Sequence, residues 1–247
     1  MSTLKLSLLL SLVLSVSACS QFAPFEDRRR EPGTEYVYVG ASKPGRPAVC
    51  YNPLFYDKEE NCFLVGNAGK YKPNDKQFKA TIEVVEKDFS SITSSIPCYL
   101  SFEKMKDIQG VCKASDGTIW LCSYGENKIR HINENGQEIG YIDMLEPSGI
   151  ANDSRSNTLW VLTKKYLYNC TYDGKVKRKI KLKIKGQDQI FLDEENNLIY
   201  LSVGSNYSKE SYIYMVDLKR MRLNLYMNYK IHMRLKELQL LMMYYMY

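Results

Sequence analysis

From Ile108 to Leu218 the chain alternates short apolar runs with turn residues, and one phrase returns three times. The copies are Asp116-Gly117-Thr118-Ile119-Trp120-Leu121, Asn157-Thr158-Leu159-Trp160-Val161-Leu162 and Asn196-Asn197-Leu198-Ile199-Tyr200-Leu201. Their aromatic anchors Trp120, Trp160 and Tyr200 are spaced by 40 residues. Short strands repeating at about this period predict an all-β chain of four-stranded propeller blades. The strands that carry the anchors are apolar at consecutive positions, as expected of strands covered on both faces. The anchors therefore mark packing positions in successive blades rather than a ligand platform.

The pattern divides the repeat into units. In the first regular unit, Gln109 to Lys113, Thr118 to Ser123, Lys128 to Ile132 and Glu138 to Ile142 are strands, with turns at Asp116-Gly117 and Asn135-Gly136. Asp-Gly and Asn-Gly tolerate positive φ and mark tight hairpins. The next unit has Pro147 to Ala151, Thr158 to Thr163, Tyr166 to Cys170 and Val176 to Ile184, turning at Asp153 to Asn157 and Asp173-Gly174. The last has Gln189 to Leu192, Leu198 to Val203 and Tyr212 to Asp217, turning at Asp193 to Asn197. Residues 107–219 thus hold three regular blades. Residues 36–106 read as a degenerate first blade with inserted loops: Tyr36 to Val39, Val49 to Tyr56 and Cys62 to Val65 are strands, Phe63 stands where Trp120 would, and Thr81 to Val85 is an outer strand. Gly66 to Lys76 and Ser90 to Ser95 read as loops. Tandem hairpins in a β-sandwich are the alternative architecture.

The blade phrases Pro147-Ser148-Gly149-Ile150-Ala151, Asn157-Thr158-Leu159-Trp160-Val161 and Asp116-Gly117-Thr118-Ile119-Trp120 resemble the six-bladed NHL/SMP-30-like propellers and related exported bacterial lipoproteins. The resemblance covers roughly residues 107–218 and speaks to architecture. It implies two readings of function: a non-catalytic binding or scaffold module for a protein or glycan, or a hydrolase or lactonase with a divalent metal in the central channel. For the second, Asn152, Asp153 and Asp193 offer oxygen ligands suited to Ca²⁺ or Mg²⁺. Asp153 and Asp193 also stand where β-turns want Asp. Four blade-like units are too few for six blades, and residues 220–247 depart from the pattern. That tail holds six of the ten Met residues and no Gly, Pro, Ser, Thr or Asp. Ile231, Leu235, Leu238 and Met242 fall at helical spacing, so the tail reads either as a helix or as an out-of-frame ending that makes the chain a non-functional fragment.

The start of the chain changes the picture of where it works. Lys5 and the apolar run Leu6 to Val16 form a signal segment too short for a stable span. Val16-Ser17-Ala18-Cys19 has the form of a lipobox, so residues 1–19 predict export and lipidation at Cys19, with membrane association through the lipid. Ser20 in place of Asp fits outer-membrane sorting in a Gram-negative cell; an ordinary secretory signal would export the chain without an anchor. Residues 20–35, with Arg28, Arg29 and Arg30, read as a flexible tether. Six further cysteines in an exported chain permit disulfides, and spacing around turns suggests Cys112–Cys122 and Cys50–Cys62. Small buried thiols are the alternative.

Composition adds little. A hydrophobic fraction of 45% and 20 Tyr residues suit a packed β protein, and a net charge of +6 is too mild to indicate nucleic-acid binding. The two histidines, His131 and His232, belong to no metal-spaced or nucleophilic set. Gly66-Asn67-Ala68-Gly69-Lys70 lacks the phosphate-loop frame. The distinctive chemistry is Lys175 to Lys185, where Lys177, Lys179, Lys181, Lys183 and Lys185 share one strand face and Ile180, Leu182 and Ile184 the other. It is either a lysine-guarded edge or a ridge for an anionic glycan, lipid headgroup or acidic partner.

Overall fold

The computed structural model describes residues 51–67, 80–88, 90–98, 108–184, 187–203 and 211–229. They form four four-stranded antiparallel sheets, each a simple meander, arranged as four blades of a β-propeller. Blade 1 is β1 (Tyr51–Asp57), β2 (Cys62–Asn67), β3 (Thr81–Glu86) and β4 (Ile92–Pro97). Blade 2 is β5 (Ile108–Lys113), β6 (Ile119–Ser123), β7 (Lys128–Ile132) and β8 (Glu138–Asp143). Blade 3 is β9 (Pro147–Asp153), β10 (Thr158–Thr163), β11 (Tyr166–Thr171) and β12 (Val176–Lys181). Blade 4 is β13 (Gln187–Asp193), β14 (Leu198–Val203), β15 (Ser211–Asp217) and β16 (Arg222–Tyr229).

Two expectations are corrected. Ser90 to Ser95 is not a loop, because β4 begins at Ile92 and pairs with β3. The segment after Arg220 does not open as a helix: β16 pairs with β15 over Arg222 to Tyr229. The helical spacing from Ile231 onward lies outside the described residues. Apolar composition hid β16, because no Gly or Asn announces its turn. Asp217 makes the turn instead, its Oδ1 accepting the amides of Lys219 and Arg220 at 2.9 Å each.

The same turn recurs. Asp57 Oδ1 accepts the amides of Glu59 and Glu60, and Asp193 Oδ1 accepts the amide of Asn196. Four residues after Asp57, Asp153, Asp193 and Asp217 stand Asn61, Asn157, Asn197 and Met221, all with positive φ. Asparagine tolerates this region; methionine does so only at a cost. Met221→Asn is accordingly expected to stabilise the protein by about 1 kcal/mol. Thermal or urea unfolding would check it, and a loss of stability would contradict the left-handed turn.

The Gly turns close tight hairpins, as expected. Gly117, Gly136 and Gly174 each donate to the carbonyl three residues earlier, of Ala114, Asn133 and Thr171. Their positive φ closes a three-residue loop with a bulge, a common hairpin geometry.

The inner strands stand side by side in the order β1, β5, β9, β13. Three cores lie between blades rather than within them. Leu64, Ile82, Ile108 and Leu121 fill the first joint. Trp120, Ile129, Ile150 and Val161 fill the second, and Trp160, Leu162, Ile190 and Leu201 the third. The strands β6 and β10 are buried at every position, which explains their unbroken apolar runs. Trp120 and Trp160 do equivalent jobs at successive joints. Tyr200 remains half-buried, with no further blade against it among the described residues.

Candidate functional site

The outermost strand of blade 3 carries the basic run. β12 has one hydrogen-bonded neighbour, β11, with Tyr166 opposite Lys181 and Tyr168 opposite Lys179. Lys177, Arg178, Lys179 and Lys181 are exposed, and Lys183 follows them exposed. None of these five forms an ion pair among the described residues. Lys185 lies outside the described residues. Ile180 and Leu182 turn the other way and pack into the joint between blades 3 and 4. The alternation expected of the strand therefore holds over the described part.

The tyrosines of β11 are the part of this surface that the sequence reading missed. The Lys179 Nζ lies 4.1 Å from the centre of the Tyr166 ring and 5.3 Å from that of Tyr168. The two rings are 5.7 Å apart. An ammonium over aromatic faces is held by their negative quadrupoles while remaining open to solvent. Counting back across the Asp173-Gly174 turn would pair these residues, except that a bulge at Asn169/Cys170 shifts the register.

The metal candidates are engaged in structure. Asn152 Oδ1 accepts the Tyr172 hydroxyl at 2.7 Å. Asp153 faces the Arg155 guanidinium at 3.6 Å, and Asp193 Oδ2 accepts the Asn196 side-chain amide at 2.7 Å. Asp153 and Asp193 begin equivalent turns in blades 3 and 4. Glu194 ties those turns together by accepting the Ser154 amide at 2.6 Å and the Ser154 hydroxyl at 2.7 Å. Among the described residues no three His, Cys, Asp or Glu side chains gather as a metal site.

His131 stacks on Trp120, with ring centres 3.8 Å apart and planes 5° from parallel. Thr118 donates its hydroxyl to Asp116 at 2.6 Å, which leaves its oxygen to accept from His131 Nε2 at 2.7 Å. Burial lowers the imidazole's pKa, and nearby Asp116 opposes that shift. A nucleophilic relay needs the imidazole between hydroxyl and carboxylate. Here the hydroxyl stands between them, an order that holds the ring in place instead.

The cysteine pairing is corrected. Register sets Cys112 opposite Trp120 and Cys122 opposite Gly110, and both thiols are unbridged. The first member of the other expected pair, Cys50, lies outside the described residues, as does Cys19. Cys112, Cys122 and Cys170 instead gather in the joint between blades 2 and 3 as small buried side chains. Burial pushes the Cys98 thiol up to about 12 and that of Cys170 to about 11. Cys122 is raised by burial and then by Cys112 and Cys170. The thiolate is the reactive form. Ellman's reagent at mildly alkaline pH should leave these four thiols untouched until denaturant is added; native labelling of any of them, located by mass spectrometry, would contradict this packing.

The comparisons give the fold its relatives. No family model matches this sequence, and no curated protein matches it. Among solved structures the chain is similar to hydrazine synthase of Kuenenia stuttgartiensis, with a TM-score of 0.52 and 14% identity over 80% of this chain and 53% of that one. It is similar to the WD40 repeats of RRP9, with a TM-score of 0.52 and 8% identity over 74% of this chain and 52% of that one. Virginiamycin B lyase of Staphylococcus aureus follows at a TM-score of 0.45 and 19% identity, over 74% of this chain and 57% of that one. The chain spans little more than half the length of these structures. At such identities the likeness is one of fold. It is a β-propeller fold.

Proposed function

We propose that this protein is a non-catalytic binding module of the NHL/SMP-30-like propeller type, exported and held at the cell envelope through lipid on Cys19. The described residues hold four blades, where that type has six. Its partner is an anionic glycan, taken on the lysine face of β12. The observation that carries this reading is Lys179 held over Tyr166 and Tyr168. A strand that only guards an edge needs charge, which lysines supply without aromatic support. A strand that binds a sugar polymer gains from rings beside the cations, because rings cover apolar sugar faces while ammonium groups meet carboxylate or sulfate. The signal segment and Val16-Ser17-Ala18-Cys19 support the location.

The test is binding to heparin, as a model polyanion, at low and physiological salt. Lys177→Glu, Lys179→Glu and Lys181→Glu together should weaken binding at least tenfold, since each step of about 1.4 kcal/mol is tenfold in affinity. Tyr166→Leu with Tyr168→Leu should weaken it less and leave the salt dependence intact. Unchanged binding by the triple variant would remove the ridge from the account. Metabolic labelling with palmitate, lost on Cys19→Ser, checks the anchor.

A further inference from the structure

Between blades 1 and 2 lies a second charged surface, of opposite sign. A cleft of about 870 Å³ opens beside the Asp57 turn. Leu64 and Val84 of blade 1 and Ile119 of blade 2 line its apolar part, and Glu60, Glu86 and Glu134 stand around it. Lys113 also lines the cleft, but its ammonium is bound to Asp57 at 2.6 Å. Burial works against the Lys113 charge, and the hydrogen bond and attraction of Asp57 outweigh it, raising the lysine's pKa. That cation is therefore committed within the protein. Lys87 is the remaining base in the lining, against the three glutamates and Asp88.

One wall of the cleft is a strand edge. Thr93 and Ile96 of β4 line it, and β4 is the outermost strand of blade 1. The sequence Ile92-Thr93-Ser94-Ser95-Ile96-Pro97 carries no charge. Edge strands are ordinarily protected by charged side chains, and β4 has none. An uncharged edge beside carboxylates and an apolar floor suits an extended strand that brings lysines with it.

We propose that this cleft receives the lysine ridge of a second copy of the chain, β12 of one molecule lying along β4 of the next with Lys177, Lys179 and Lys181 facing the cleft carboxylates. Within one molecule the ridge is the outer strand of blade 3 and the cleft lies between blades 1 and 2, so the two surfaces meet only between molecules. The occupant is fixed by charge complementarity: the ridge carries unpaired cations in alternation, and the cleft carries carboxylates in excess of its bases. Because different patches meet, the contact is head-to-tail and either propagates or closes into a ring. Surface charge dominates it, so salt weakens it. The ridge is shared with glycan binding, but the cleft is not, and the two readings separate at the cleft.

The full chain, carrying Cys19→Ser for work in solution, should self-associate at low salt in sedimentation velocity and return to monomer at high salt. Two variants test the pairing. One carries Lys177→Glu, Lys179→Glu and Lys181→Glu; the other carries Glu60→Lys, Glu86→Lys and Glu134→Lys. Each alone should lose association at least tenfold. Mixed, the unaltered cleft of the first meets only reversed ridges of its own kind and the intact ridge of the second meets only a reversed cleft, so neither variant forms the native contact with itself. The native cleft of the first and native ridge of the second should then associate, and the two reversed faces, opposite in charge, should extend that contact into alternating copies. A peptide copying residues 175–185 should break up wild-type assemblies, which keeps the test independent of how well the variants fold. The cleft variant should still bind heparin, so failure of self-association and failure of glycan binding are read separately. Wild-type monomers at low salt, association unchanged in either variant, or no complex in the mixture would each overturn the proposal.

Discussion

Trp120→Ala is expected to lower the unfolding free energy by about 3–5 kcal/mol, the range for a large aromatic removed from a core. Trp120 is 1% exposed and packs in the joint between blades 2 and 3, not within one sheet. Its loss leaves His131 without its stacking partner and Tyr172 without a ring 5.4 Å away. The joint has little means of closing the hole. β6 is buried at every position and its neighbours are fixed by the strand ladders on either side. Trp120→Phe, which keeps part of the ring, should cost clearly less. Urea unfolding followed by circular dichroism measures both. A Trp120→Ala protein within about 1 kcal/mol of wild type would mean that the blades are not coupled through this residue.

Gly110→Ala should be almost as damaging, although it adds one methyl group. A Cβ at Gly110 would lie 2.3 Å from the Ser148 carbonyl oxygen and 3.1 Å from the Ile150 amide nitrogen. Those atoms are backbone of β9, so no side chain can rotate away; the inner strands of blades 2 and 3 must separate. Gly149 repeats the arrangement one blade on, where a Cβ would lie 2.7 Å from the Ile190 amide nitrogen. Overpacking of this kind costs about 3 kcal/mol, toward the upper end of what an added carbon does in a core. Gly117→Ala is the control: a Cβ there meets nothing within 4 Å, and φ of 83° supplies the only strain. Equal losses at Gly110 and Gly117 would show that backbone freedom, not blade spacing, governs both.

These two residues illustrate what the chain discloses before it is folded. Trp120 announced itself, because its counterparts 40 residues on repeat both the ring and its surroundings. Side chains buried on both faces leave an apolar run, and runs with a period are readable. Gly110 did not announce itself. A glycine that lets two backbones approach looks the same as one in any strand until the neighbouring strand is in place. β16 was hidden for a related reason: the Asp217 turn works through hydrogen bonds to amides, and Met221 gives no hint of positive φ. Of the candidate site, the alternating lysines were legible and their tyrosine support was not, because a bulge in the β11–β12 ladder breaks simple counting. The turn aspartates were seen and given two meanings; what the sequence could not disclose is that Asp193 accepts the Asn196 amides and that Arg155 stands beside Asp153.

The position of β12 at the rim of its sheet also sets how the ridge answers to force. An outward pull at Lys179 acts on a strand paired along one side only, through five residue pairs with a bulge among them. Such a pull opens hydrogen bonds one after another, like a zipper, rather than shearing them all at once. Rupture at the rim would draw Ile180 and Leu182 out of the joint that holds Trp160 and leave the Trp120 joint in place. The rim strand is therefore built to let go before the joint between blades 2 and 3 does.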